Sequence, residues 1–168
     1  IPINQLHGTA SLSVGVEPAL EFFGFDAAKP LFLDTETTGL SGGTGTMVFL
    51  NGLAKLSAGY LEFAQCLLTQ FQGESAMLEY TAEFARGTNL LVSYNGKSFD
   101  LPLLATRYRL AGVQNPFPNF GHFDLLHTSQ RAFRRVWTDC TLRSAERQLL
   151  GFERVDDVPG SQAPQIWF

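Results

Sequence analysis

Two carboxylates stand one residue apart in the sequence LFLDTETTGL, which runs from Leu31 to Leu40. Three apolar residues lead directly into Asp34 and Glu36, and a Thr-Thr-Gly segment follows. Because side chains alternate along a β-strand, the two acids point to the same face. Carboxylates that close raise each other's pKa unless a cation lies between them, and Mg²⁺ and Mn²⁺ prefer such oxygens. The pair therefore indicates a divalent metal site, although an acid that caps the following turn fits the same pattern.

A third acid, Asp100, follows the segment SYNGKSF, which begins at Ser93. Taken alone, Asp100 is the negative charge that the start of a helix favours. If the strands predicted at residues 31–36 and 89–94 are neighbours, however, Asp100 lies at the same end of the sheet as Asp34 and Glu36. Three acids in one site would be enough to hold two metal ions about 4 Å apart.

The elements that position these acids are predicted from hydrophobic periodicity and turn residues. Residues up to about 71 read as strands, and the later residues alternate between helix and strand. This order predicts an α/β fold with a mixed five-stranded sheet, a three-strand antiparallel meander followed by parallel strands, flanked by helices. The first strand is expected to be central because it is apolar on both faces. The predicted strands are 31–36, 46–56, 60–71, 89–94 and 122–124, with a hairpin loop at 57–59, and the predicted helices are 74–86, 98–111, 124–135 and 141–150.

Length and composition fit one globular domain rather than a disordered or membrane-spanning chain. The 168 residues are 45% hydrophobic and 17% charged, and neither a signal peptide nor a membrane helix is predicted. The two cysteines, Cys66 and Cys140, form no disulfide or zinc pattern, so a reduced, cytoplasmic setting is expected. The chain starts at Ile1, and we expect a fragment in which 1–30 is an N-terminal extension of a domain spanning 31–168.

Charge is distributed unevenly along the chain, although the net charge is −4. Residues 1–96 contain 3 basic and 9 acidic side chains, whereas residues 97–154 contain 9 basic and 5 acidic ones. His127, Arg131, Arg134 and Arg135 recur at a spacing of three or four residues on a predicted helix, so they share one face. That face either follows nucleic-acid phosphates or is an ordinary solvated helix surface.

The phenylalanines, 15 in number, are predicted to be mainly core residues rather than platforms for base stacking. Most of those considered fall on the faces of predicted strands or helices. They are Phe22, Phe23, Phe25, Phe32, Phe49, Phe63, Phe71, Phe84 and Phe99.

Four segments together resemble the YprB-type RNase-H-like domain of the DEDD 3′–5′ exonuclease superfamily. The segments are FLDTETTGLSGGTGT (32–46), NGKSFDLPLL (95–104), HFDLLHTSQRAFRR (122–135) and CTLRSAERQLLGFERVDDVPG (140–160). The resemblance implies a ribonuclease H-like fold and a metal-dependent nuclease that hydrolyses phosphodiester bonds of DNA or RNA, most often as a 3′–5′ exonuclease. Its partner would be a nucleic-acid single strand or strand end.

The resemblance also implies roles for individual residues. Asp34, Glu36 and Asp100 would be catalytic acids that hold two Mg²⁺ or Mn²⁺ ions. The backbone at Thr37, Thr38 and Gly39, together with Leu40, would hold the terminal nucleotide. Asn95 would fix the second motif or touch the substrate, and Lys97 would lie near backbone phosphates.

The superfamily also requires a fourth Asp, which this chain does not supply in either common pattern. No His is followed five residues later by Asp, and no Tyr is followed four residues later by Asp. The resemblance places that Asp in a helix beyond Phe168, so the domain is expected to be truncated before its last helix. Such a chain would bind metal weakly and cleave slowly or not at all.

Several local residues are candidate substitutes for the missing groups. Asp124 precedes a predicted helix and is interpreted first as an N-cap, with a ligand role left open. Asp156 and Asp157 precede a turn, and a contact with metal or substrate stays open for both. A general-base role is considered for His122 and for His127, although a structural role is commoner for a half-buried histidine.

Three functions remain open from the sequence. The first is the metal-dependent exonuclease. The second is a catalytically weak or inactive nucleic-acid-binding module on the same fold, and the third is a structure-selective endonuclease.

Overall fold

The computed structural model describes residues 6–7, 10–11, 21, 23–25, 28–39, 44–58, 60–155 and 157–167. Leu40, Asp156, Phe22 and most of the expected extension at 1–30 lie outside the described residues. Among the helices of the described part, none is long and apolar enough to cross a membrane.

The sheet has five strands, and the strand that carries Asp34 and Glu36 is at its centre. Along the sheet the strands are β5 (Tyr60–Leu67), β4 (Val48–Ser57), β3 (Pro30–Thr37), β6 (Leu90–Ser93) and β7 (Gly121–Asp124). Pairing is antiparallel between β5, β4 and β3 and parallel between β3, β6 and β7. This confirms the predicted fold class and the central position of the first long strand. Two short strands, β1 (Leu6–His7) and β2 (Ala10–Ser11), pair separately.

The helices follow the sheet strands in the order that the sequence predicts, apart from those at the end of the chain. The main helices are α1 (Glu74–Phe84), α2 (Asp100–Ala111), α3 (Leu125–Phe133) and α4 (Leu142–Ala145), which continues as a π-helix over Glu146–Leu150. A short 3₁₀ turn at Phe71–Gly73 precedes α1. A second 3₁₀ turn at Gly160–Gln162 leads into α5 (Ala163–Trp167), and the sequence analysis predicted neither element.

Alternation along β3 divides the core into two layers, one on each side of the sheet. Leu31 and Leu33 belong to a cluster with residues of α1 and α2, whereas Phe32 packs against Leu90 and Val92 of β6. Leu125, at the start of α3, belongs to this second cluster. The central strand is therefore buried on both faces, and its acids emerge only where it leaves the core.

A buried ion pair fixes α2 relative to α1. Arg107 donates from Nε to Glu74 Oε1 at 2.5 Å and from Nη2 to Glu74 Oε2 at 2.6 Å. Its Nη1 also donates to the Thr44 carbonyl oxygen at 2.9 Å. One guanidinium thus connects α2, which carries Asp100, to α1 and to the segment before β4.

The prediction that the phenylalanines are core residues is wrong for several of them. Phe49 and Phe84 are buried and Phe25 and Phe32 are half-buried, but four of the others are exposed: Phe23, Phe63, Phe71 and Phe99. Phe63 lies on β5, the outermost strand of the described sheet, and Phe99 lies beside the acids at the start of α2. Periodicity alone could not distinguish these positions from core positions because it does not reveal which faces are covered.

Candidate functional site

The end of β3 presents the acidic pair at a local irregularity of the sheet. Asp34 pairs with Gly52 of β4 and Glu36 pairs with Leu50, but Thr37 pairs with Val48, so the register shifts between Glu36 and Thr37. Such a bulge bends the strand and changes the direction of its side chains. The pairing of β3 with β6 covers only Pro30 to Phe32, so the acidic end of β3 has no strand beside it on that edge.

Asp100 is held by the residue between the two acids. The Thr35 hydroxyl donates a hydrogen bond to Asp100 Oδ1, and Asp100 is only 8% exposed. Thr35 lies on the strand face of Leu31 and Leu33, which α2 covers, whereas Asp34 and Glu36 lie on the opposite face. Asp100 is therefore fixed against β3 by the residue that separates the two acids.

The turn before α2 is shaped by a glycine, a left-handed asparagine and a capping acid. Asn95 has a φ of 71°, and a Cβ added to Gly96 would lie 2.6 Å from Ser93 Oγ, so only glycine fits there. The Asp124 carboxylate accepts hydrogen bonds from the backbone N–H groups of Asn95 at 2.8 Å and Lys97 at 2.9 Å. It also accepts one from the N–H of Leu126, so Asp124 is the N-cap of α3, as its position in the sequence predicted.

A cleft of about 730 Å³ opens between the end of β3, the start of α2 and the residues before α5. Asp34, Glu36 and Asp100 all line it. The other residues in its walls include Thr35, Thr37, Thr38, Gly39, Tyr94, Asn95, Ser98, Phe99, Gly160, Ser161, Pro164 and Gln165. Gly160 is close to Glu36, since a Cβ added to it would lie 3.9 Å from Glu36 Oε2.

Hydrogen bonds fix the Thr-Thr-Gly segment at one wall of the cleft. The N–H of Thr38 donates to the Met47 carbonyl oxygen at 2.9 Å, and the Thr38 hydroxyl accepts from the Met47 N–H at 3.0 Å. The Thr37 hydroxyl donates to the Gly39 carbonyl oxygen at 3.0 Å. This wall is therefore a defined backbone surface rather than a free loop.

The pKa values of the three acids in the cleft are all raised. Loss of water raises the pKa of Asp34, and the charge of Asp100 raises it further, although the Asp34 side chain is accessible from the cleft. Burial also raises the pKa of Glu36, and the charges of Asp34, Asp100 and Asp157 add to that effect. The pKa of Asp100 is raised mainly by burial, and the Thr35 hydrogen bond opposes the shift. A cation in the cleft would relieve the repulsion.

The three carboxylates are the kind of ligand that a hard divalent cation prefers, but they do not surround a single position. Within the described residues, no three His, Cys, Asp or Glu side chains are arranged to hold a single metal ion. Asp100 Oδ1 also accepts the hydrogen bond from the Thr35 hydroxyl, so this oxygen already has a protein partner. Two ions that share the three acids need fewer protein ligands each, and the remaining positions of such ions are commonly filled by water and phosphate oxygens.

The other predicted site residues are dispersed around the cleft. Lys97 is exposed beside it, and His122 is bonded through Nε2 to Ser93 Oγ at 2.8 Å rather than lining the cleft. Burial lowers the pKa of His122. Asp157 lies 3.3 Å from Arg154 Nη1 and is close enough to Glu36 to raise its pKa.

Sequence analysis missed two parts of the site. Thr35 stands between the two acids, and the alternation rule could have placed it on the face toward α2. The wall at residues 160–165 had no such signal, because its short 3₁₀ turn and helix show no periodicity. Arg154, which pairs with Asp157, also donates from Nε to Glu146 Oε2 at 2.6 Å. This contact depends on the turn between residues 146 and 154.

Comparison with known proteins identifies the family of the chain. A family model of the RNase H superfamily matches residues 31–168. The uncharacterized protein YprB of Bacillus subtilis (strain 168) is 35% identical over 179 aligned residues, which cover 99% of this chain and 43% of YprB. This chain therefore spans less than half the length of that relative.

The fold is also found in a structure of the family B DNA polymerase from the hyperthermophilic archaeon Pyrobaculum calidifontis. The TM-score is 0.60 at 18% sequence identity, and the match covers 83% of this chain and 21% of the polymerase. The resemblance of the four sequence segments to an RNase-H-like domain is thus confirmed by the family model and by YprB. The chain belongs to the RNase H superfamily.

Proposed function

We propose that this chain is a metal-dependent nuclease that removes nucleotides from a strand end in the 3′–5′ direction. The observation that carries the proposal is that Asp34, Glu36 and Asp100 line one cleft and that the charge of Asp100 raises the pKa of the other two. Membership of the RNase H superfamily supports a nuclease-type function. The direction of cleavage comes from the sequence resemblance alone.

Each proposed role follows from the position of the residue in the cleft. Asp34, Glu36 and Asp100 would hold two Mg²⁺ or Mn²⁺ ions. When bound, such ions lower the pKa of an attacking water and stabilise in-line displacement at phosphorus. The Thr37–Gly39 backbone would position the terminal nucleotide, and Thr35 would orient Asp100. Exposed Phe99 could stack on a base from the opposite wall.

Asn95 and Lys97 are proposed to act in different ways. Asn95 would maintain the left-handed turn at the cleft, consistent with its φ of 71°. Exposed Lys97 would contact a phosphate as a flexible positive charge. We also propose a cytoplasmic setting, since Cys66 and Cys140 are both free thiols.

A second candidate function is a nucleic-acid-binding module without turnover. It is favoured by one observation, that the described part of the chain contains no three side chains arranged to hold a single metal ion. On this reading the cleft would hold a strand end without hydrolysing it.

An assay with labelled single strands of DNA and RNA in Mn²⁺ tests the proposal, and it uses a chain extended beyond Phe168, where the sequence resemblance places the fourth Asp. A 3′–5′ exonuclease shortens a 5′-labelled strand step by step, releases a mononucleotide from a 3′-labelled strand, and leaves a circular single strand intact. Cutting of the circle would instead indicate an endonuclease. Binding without shortening of either chemistry would support the binding module and refute the enzyme.

Matched variants connect the activity to the cleft. We expect Asp34→Asn, Glu36→Gln and Asp100→Asn each to lower the rate at least 100-fold, because removing a metal ligand removes transition-state stabilisation. Glu79→Gln is the control, since Glu79 is an exposed acid on α1 that does not line the cleft. Activity that survives all three cleft substitutions would assign the hydrolysis to another site or to a contaminant.

A further inference from the structure

The most basic surface of the described chain lies on α3 and the turn that follows it. Four exposed side chains define this basic surface: His127, Arg131, Arg134 and Arg135. The N–H of Arg134 donates to the Gln130 carbonyl oxygen, so helical geometry continues past the end of α3. Residues four and seven positions after His127 therefore share its face.

Among the described residues, no acid forms an ion pair with the charges of the basic surface. Residues 125–138 contain no Asp or Glu. The carboxylates of the two acids that flank this segment both accept hydrogen bonds from other groups. Asp124 accepts three backbone N–H bonds, and Asp139 accepts bonds from Thr141 and from the Ser144 hydroxyl.

The ion pairs of the described residues involve other basic side chains. They join Lys55 to Glu62, Arg86 to Glu83, Arg107 to Glu74, and Arg154 to Glu146 and Asp157. None of these pairs includes the arginines of the basic surface. A helix face that is merely solvated usually intersperses charges of both signs, and this face does not.

Both ends of the segment that carries the basic surface are attached to the cleft. At its start, the Asp124 carboxylate binds the N–H groups of Asn95 and Lys97. At its end, the Tyr94 hydroxyl donates to the Cys140 carbonyl oxygen at 2.7 Å. Tyr94 and Asn95 both line the cleft, so the basic surface is fixed beside it.

The length of α3 matches the phosphate spacing of a nucleic-acid strand that continues out of the cleft. A helix rises 1.5 Å per residue, so Arg131 lies about 10 Å along the axis from Asp124. That distance corresponds to about three phosphates of a stacked strand. Phe133 and Trp137 stack at the end of the arginine run with ring centroids 4.1 Å apart, and aromatic groups beside cationic ones are typical of single-strand binding surfaces.

A membrane surface is a poorer partner for this helix. Basic amphipathic helices that bind lipid insert their apolar face into the bilayer. Here the first apolar residue of the helix, Leu125, already packs on the protein against Leu90 and Val92.

We propose that the basic surface binds the sugar–phosphate backbone of a single nucleic-acid strand whose end occupies the cleft. The inference rests on the proposed function, because it takes the cleft to be the site that receives the strand end. It adds the path of the strand beyond the cleft.

Binding of a fluorescein-labelled oligothymidylate, followed by anisotropy in EDTA so that no strand is cut, tests the inference. We expect the triple variant Arg131→Gln/Arg134→Gln/Arg135→Gln to bind about tenfold more weakly. The slope of log K against log salt should fall by about 2, because each lost phosphate contact on a single strand contributes about 0.7. The matched lysine triple should restore most of the affinity, since lysine also binds phosphate as a point charge.

Two controls distinguish failure of this inference from failure of the proposed function. Arg86→Gln/Arg109→Gln removes exposed charges elsewhere and should leave both affinity and slope unchanged. The p-nitrophenyl ester of thymidine 5′-monophosphate has one phosphate and cannot span the cleft and the basic surface together. The triple variant should therefore hydrolyse it in Mn²⁺ as fast as the parent chain.

The outcomes separate as follows. If the triple variant binds the strand with the affinity and salt slope of the parent chain and still hydrolyses the ester, only the proposed role of the basic surface is overturned. If the parent chain extended beyond Phe168 neither binds the strand nor hydrolyses the ester, the proposed function is overturned and the inference with it. Tighter binding to phosphatidylserine vesicles than to the strand, lost in the triple variant, would assign the surface to a membrane instead.

Discussion

Replacing Glu74 with Gln should destabilise the protein far more than an equivalent change at the surface. Arg107 and Glu74 have only 9% and 13% of their side chains exposed and share two short hydrogen bonds. Removing one partner leaves a buried charge uncompensated, which typically costs about 3–5 kcal/mol. Because the Gln amide oxygen still accepts one hydrogen bond, we expect the lower end, about 3 kcal/mol.

Thermal denaturation monitored by circular dichroism measures this effect. For a chain of this size 1 kcal/mol corresponds to about 2–4 °C in Tm, so Glu74→Gln should lower Tm by about 6–12 °C. Glu83→Gln is the matched control, because its pair with Arg86 has 61% and 78% of the two side chains exposed. Such exposed pairs contribute about 0–1 kcal/mol.

A double replacement separates the buried charge from the lost contact. In Glu74→Leu/Arg107→Met no charge remains buried, and the Thr44 carbonyl oxygen is at an exposed residue where water can replace the guanidinium. We therefore expect the double variant to be more stable than Glu74→Gln alone. If Glu74→Gln lowers Tm no more than Glu83→Gln, the pair does not hold α1 and α2 together as argued.

Three further predictions concern the cleft and its supports. Asp34→Asn should raise Tm in EDTA at pH 7. Because the pKa of the Asp34 carboxyl is raised in the folded protein, ionising this group costs stability as the pH rises above its ordinary pKa of 3.8, and Asn removes that cost. A titration of Tm against pH should show that the variant's advantage disappears in acid. Thr35→Val should cost about 1.5–3 kcal/mol in urea denaturation by removing the donor to Asp100, and Thr35→Ser should be close to the parent. Gly96→Ala should cost about 1–3 kcal/mol, because the new Cβ would meet Ser93 Oγ at 2.6 Å; an unchanged urea midpoint would refute this steric argument.

The sheet could be predicted from the sequence because its signals are local. The apolar run before Asp34 and the turn residues at 57–59 determine β3 and the hairpin, and the observed pairing of Ser57 with Tyr60 agrees with that turn. The N-cap role of Asp124 was also readable, since an acid directly before an apolar helix is a common start signal.

The arrangement of the acids could be predicted only in part. That Asp34, Glu36 and Asp100 would lie at one end of the sheet follows from strand order, and all three line the cleft. The hydrogen bond from the Thr35 hydroxyl to Asp100 could not be predicted, because it depends on how α2 packs against β3. The wall at 160–165 depends on long-range packing, in which Trp167 stacks on Phe49 and donates to the Leu68 carbonyl oxygen at 2.5 Å.

The edge strand β5 has a consequence for how concentrated solutions of this protein behave. β5 exposes Tyr60, Phe63 and Leu67, and Glu62 is its single charged residue, set directly across from Lys55 of β4 at 3.7 Å. Among the described residues no strand pairs with the outer edge of β5, and an edge of this composition is a template on which other chains can add as strands. Glu62 is the one charge placed on this strand, so we expect its replacement by an apolar residue to increase self-association in concentrated solution.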